Sequence, residues 1–128
     1  MKFEFLNEDH RKSFQELREG LSENRRFDEK YLSVCFLMAG SPELFRKMNP
    51  YFDGVEGSLK SDKMFEEQDF SSSFGILAKL AVHLFNSNEK VSPLDLVEYL
   101  DKENFQLAIN AIILRRYGIS RSYPLKSE

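Results

Sequence analysis

Residues 31–45, YLSVCFLMAGSPELF, decide how this chain folds. Tyr31, Leu32, Val34, Cys35, Phe36, Leu37, Met38 and Ala39 place apolar side chains on every side of a helix, and a helix apolar all round is buried all round. The run is too short to cross a membrane, which takes about 20 apolar residues. Asp28 stands in N-cap position. Ser33 can turn its hydroxyl onto a carbonyl one turn back. Gly40 suits a left-handed helix stop, Ser41 the next N-cap and Pro42 a first helical position. "AGSP" therefore predicts helix, sharp corner, helix. The second helix is short, because Asn49-Pro50 interrupts it.

A matching helix lies at the other end, in KENFQLAINAIILRRY at 102–117, with Asp101 to cap it and Gly118 to stop it. Phe105, Ile109, Ile112 and Ile113 form one apolar side, and Leu107, Ala108, Ala111 and Leu114 much of the other. Only Gln106 and Asn110 make a polar seam. Two such helices must lie side by side at the centre or be covered by another chain, and the stripe Gln106, Asn110, Ile113 and Tyr117 is the expected interaction surface.

Working outward, Asn7 caps a helix with Glu8 and Asp9 in its first turn and with His10, Phe14, Leu17 and Leu21 at helical spacing. A further helix spans 72–86. Ser92 and Asp95 form a capping box at the start of VSPLDLVEYL. KFEFL at 2–6 alternates, and could pair as a short strand with ISRSYPL at 119–125, or form an extended arm before a basic tail at 119–128. Residues 53–69, rich in glycine and charge, read as a variable or partner-facing loop with a short exposed helix inside it. The expectation is one all-α domain of about six helices over 1–128.

Composition narrows the functions. The 128 residues are 41% hydrophobic and 30% charged, the balance of a globular domain rather than a disordered one. Twelve phenylalanines and no tryptophan point to core filling rather than to binding sites. The net charge of −3 offers no basic field for nucleic acid or anionic lipid. The one cysteine forms no internal disulfide and is compatible with a reducing cytoplasm. The charged opening MKFEFLNEDH has no signal-peptide pattern.

The chemical candidates are few. Cys35 and His10 are the residues a nucleophile–base reading would use, but Cys35 falls in the buried run, where a neutral thiol is favoured. His10, in a first helical turn, should stay neutral at the edge of the core. His83 lies on a polar helix edge. No spacing of histidines and cysteines suits a metal, and no Walker, dinucleotide or serine-hydrolase motif is present. Cofactors and metals are therefore not expected. Arg46 and Lys47 in the corner helix, or a basic end made of Arg115, Arg116, Arg121 and Lys126, are the only DNA-binding candidates, and neither makes a basic recognition face.

FLNEDH at 5–10, YLSVCFLMAGSPELF, LAKLAVHLF at 77–85 and FQLAINAIILRRYG at 105–118 together resemble a family of small uncharacterised bacterial or phage proteins. That family has an F-x-N-x-x-H opening, a Pro-Glu-hydrophobic-Phe corner and a last helix ending Arg-Arg-Tyr. It is a domain of unknown function, so the resemblance implies a mainly helical domain and no activity. The expected role is a non-enzymatic interaction or accessory factor with a protein partner or a second copy of itself. A small enzyme using His10 with Cys35 or a carboxylate is the alternative from chemistry. A DNA-binding regulator using Arg46 and Lys47 or the basic end is the other.

Overall fold

The computed structural model describes residues 2–124. Seven α-helices and one two-stranded hairpin lie among them: α1 Glu8–Glu19, α2 Glu29–Ala39, α3 Pro42–Met48, β1 Phe52–Asp53, β2 Ser58–Leu59, α4 Ser61–Glu67, α5 Ser72–Asn86, α6 Pro93–Tyr99 and α7 Lys102–Tyr117. The chain is mainly helical. α2 is its centre, packed against α7 and α5 most extensively, then against α1 and α3. Every residue from Leu32 to Met38 is buried. The two apolar helices lie side by side, with Leu107, Ala108, Ala111 and Leu114 buried on the face α7 turns inward.

The caps that set these boundaries are side-chain hydrogen bonds. Asn7 accepts from the His10 amide, Asp28 from Lys30, Ser41 from Leu44, Ser71 from Phe74 and Asp101 from Asn104. Ser92 and Asp95 complete a reciprocal capping box. Each cap satisfies a helix-end donor that would otherwise lack a partner.

Gly40 is not a left-handed stop. Its φ of −76° is ordinary right-handed backbone. It is a glycine because α7 crosses there: a Cβ on Gly40 would stand 2.5 Å from one Leu107 methyl and 2.6 Å from the other. The left-handed stop occurs at Ser87, after α5, with φ +66° and ψ +11°, while Gly118 ends α7 at φ +67° with ψ −163°.

Residues 53–69 are folded rather than a free loop. β1 and β2 pair antiparallel, Phe52 opposite Leu59 and Asp53 opposite Ser58. The Asp53 carboxylate accepts from the amides of Val55 and Glu56, each at 3.0 Å, and so shapes the turn. The Arg25 guanidinium donates to the Val55 and Glu56 carbonyls, and the Tyr31 hydroxyl to that of Gly57. Gly57 has φ +78°, and a Cβ there would lie 2.6 Å from Arg25 Nε. α4 is less exposed than its sequence suggests, since Met64 points fully into the core.

The terminal strand pair does not form among the described residues. The Glu4 amide donates to the side chain of Asn110 at 2.8 Å rather than to a neighbouring strand. Phe3 and Phe5 both turn onto Phe36, at ring separations of 5.7 and 5.6 Å. The segment is an extended arm held by aromatic packing, and the Phe3 ring also meets Tyr123 at 6.3 Å.

Candidate functional site

His10 is set by the α1 N-cap, which places it one turn into the helix facing α2. It is 2% exposed, and both ring nitrogens are occupied. Nδ1 accepts from the Leu6 amide at 3.0 Å. Nε2 therefore carries the proton and donates to the Phe36 carbonyl at 2.8 Å. That carbonyl needs a donor because α2 ends there: the Gly40 amide bonds to Leu37 instead. Phe5, Phe14 and Phe36 close around this aromatic cluster, with the His10 ring 4.5 Å from Phe36. Burial holds the imidazolium of His10 below its usual range, against the opposing pull of the Phe36 carbonyl. A histidine so committed is a lock between arm, α1 and α2, without a free nitrogen to act as a base.

A cleft of about 570 Å³ opens beside it, between α1 and the α2–α3 corner. Leu17, Met38, Ala39, Pro42 and Phe45 supply its apolar lining, and Phe45 remains 38% exposed. Asp9 and Glu16 on α1 and Glu103 on α7 bring carboxylates, and among the described residues no lysine or arginine lines it. The volume lies in the range of small-ligand and side-chain sites. Cys35 is not among the lining residues.

The residues that build this region are those of the F-x-N-x-x-H opening, the corner and the start of the last helix. A family model described as a family of unknown function, DUF6075, matches residues 1–125. The chain belongs to the DUF6075 family. No curated protein and no solved structure matches it.

In this DUF6075 chain Cys35 is fully buried, and desolvation pushes its thiol up to about 12. At pH 8 it should not react with a soluble aromatic disulfide until the protein is unfolded; labelling of the native protein within minutes would contradict its burial. Among the described residues no group of three or more His, Cys, Asp and Glu could hold a metal ion. None of their helices is long and apolar enough to cross a membrane. His83 is exposed and bonds through Nδ1 to the Glu89 carbonyl.

The basic candidates are scattered among structural roles. Lys47 pairs with Glu43, donates to the Asp69 carbonyl and lies over the Phe70 ring. Arg46 is exposed. Arg115 ties α7 to α5 by donating to the Leu84 carbonyl at 2.8 Å. Arg116 lies over Tyr117, and Arg121 over Phe27. Lys126 falls outside the described residues. Of the α7 stripe, Gln106 is exposed, Asn110 holds the arm through Glu4, Ile113 is half-buried and Tyr117 is 60% exposed. The most exposed apolar pair on a helix is instead Leu94 and Val97 on α6.

One residue escapes sequence reasoning altogether. Arg18 is fully buried, its guanidinium between the rings of Phe27 and Tyr123 at 4.7 and 5.3 Å. Nε donates to the Arg26 carbonyl and Nη1 to that of Pro124, both at 2.8 Å, while Nη2 has no hydrogen-bond partner among the described residues. Among the described residues, neutral carbonyls and aromatic faces solvate the charge. The only hint in the sequence is position: Arg18 follows Phe14 by four residues, on the buried face of α1.

Proposed function

We propose that this DUF6075 protein is a non-enzymatic interaction module, an intracellular accessory factor of bacterial or phage origin that receives a protein partner in the cleft between α1 and the α2–α3 corner. The observation that carries this is the cleft itself. It keeps an accessible phenylalanine and an apolar floor beside carboxylates, while the one histidine lining it has both nitrogens engaged in holding the fold. An accessible aromatic in a concave apolar surface is the kind of anchor that protein interfaces use. The nucleophile–base pair of the enzyme alternative is not assembled there, since His10 has both nitrogens engaged and Cys35 is buried away from the lining.

The test is affinity capture from the source cell with paired variants. Phe45→Ser removes the exposed ring of the cleft, and Val55→Ser alters a 66% exposed side chain on the hairpin turn. A partner retained by wild type and Val55→Ser, and lost from Phe45→Ser, is the expected result. Equal retention by all three would remove the cleft from the function.

A further inference from the structure

From the charges around the cleft we infer the chemistry of its occupant: a segment of another protein that places a bulky apolar side chain beside lysine or arginine. This deepens the reading of the cleft as a docking site and rests on it. Asp9, Glu16 and Glu103 are all exposed, and they stand on both α1 and α7. None of the three forms an ion pair among the described residues, whose ion pairs join Glu8 to Arg11 and Glu43 to Lys47. Three carboxylates outside any ion pair among the described residues stand around one concavity, with no described lysine or arginine in its lining, and a low-dielectric wall concentrates the negative field they make. Between them lie Leu17, Met38, Pro42 and the accessible face of Phe45, which gain nothing from a small hydrated cation. An occupant satisfying both features carries an apolar anchor for the floor and positive charge for the rim. Nucleic acid carries the wrong sign for this surface.

Such a segment would associate quickly at low salt and more slowly as salt screens the rim. Glu16→Lys is the most informative change. Glu16 is exposed and sits toward the C-terminal end of α1, where a cation suits the helix dipole, so the fold should tolerate the reversal. Glu103→Gln is a milder second variant that removes one charge without adding another.

The experiment is selection of a displayed random 12-residue peptide library on the folded wild-type protein, followed by binding of the enriched peptides to the variants. The expected result is a consensus with an aromatic or large aliphatic residue flanked by Lys or Arg. Its peptides should associate about tenfold more slowly with Glu16→Lys, less so with Glu103→Gln, and lose affinity as salt rises. A neutral or acidic consensus still lost in Phe45→Ser would overturn the charge inference and leave the docking site standing. Absence of any enrichment that depends on Phe45 would overturn both. Light scattering provides the last arm: a wild-type dimer that Glu16→Lys dissociates would make a second copy the occupant and refute a partner segment.

Discussion

Replacing His10 with alanine should lower the unfolding free energy by about 3 kcal/mol, measured by chemical denaturation at pH 7. Three losses combine. The Phe36 carbonyl, left without the Gly40 amide at the end of α2, loses its only added donor. The Leu6 amide loses its acceptor, and the arm loses a tether. The space between Phe5 and Phe36 empties. His10→Phe separates these contributions, since it keeps an aromatic ring while removing both hydrogen bonds; roughly 1–3 kcal/mol should remain lost. A His10→Ala protein as stable as wild type would mean that the lock described here does not hold the fold.

The same residue sets a pH dependence. Burial lowers its folded value below the ordinary 6.5, so above that pH neither folded nor unfolded chain holds the proton. As pH falls below about 6.5, the unfolded chain takes up the proton first. Stability therefore declines toward the lower folded value, with a slope of at most about 1.4 kcal/mol per pH unit. His10→Phe should flatten this decline between about pH 6.5 and 5, before most carboxylates titrate. An unchanged slope in the variant would assign the acid sensitivity elsewhere.

The second large effect is expected at Gly40. Alanine there places a methyl 2.5 Å from a Leu107 methyl, inside a side chain that is itself completely buried. Leu107 is buried, so its side chain or the α2–α7 spacing must shift, and overpacking of this kind costs about 1–3 kcal/mol. Because Gly40 has right-handed backbone, alanine would otherwise gain up to about 1 kcal/mol from a less flexible unfolded chain. Packing should outweigh that gain. The double variant distinguishes the causes: in a Leu107→Ala background, Gly40→Ala should become neutral or stabilising. If the glycine were needed for its backbone conformation, the cost would persist with Leu107 removed, and a persistent cost would refute the packing account.

These two residues show why part of the molecule could be read in one dimension and part could not. Caps are local: Asn7, Asp28, Ser41, Ser92 and Asp101 each act on an amide within three residues, so their roles follow from spacing alone. Gly40 looks like a helix stop by the same local logic, yet its reason lies 67 positions further along, in Leu107. His10 reads as a neutral residue at the core edge, whereas it is buried at 2% exposure and its acceptor is the Phe36 carbonyl on another helix. The hairpin at 52–59 was obscured because its strands are only two residues each, and Arg25 and Tyr31 hold its turn from outside.

The candidate site was legible in pieces. The sequence marked His10 as a chemical candidate and Asp9 only as a helix-start charge, but Phe45, Glu16, Glu103 and the concavity they share arise from packing between helices distant in sequence. By itself the sequence determined the helical class, the burial of residues 32–38 and most helix boundaries, because periodicity and capping are short-range properties of the chain. Only the tertiary structure decided that α2 and α7 lie against each other, that Arg18 is buried between aromatic rings and backbone carbonyls, and that Asp9, Glu16 and Glu103 surround one apolar cleft. Those outcomes depend on which helix faces meet, and many pairings of apolar faces satisfy the same one-dimensional pattern until side-chain volumes such as Leu107 against Gly40 select among them.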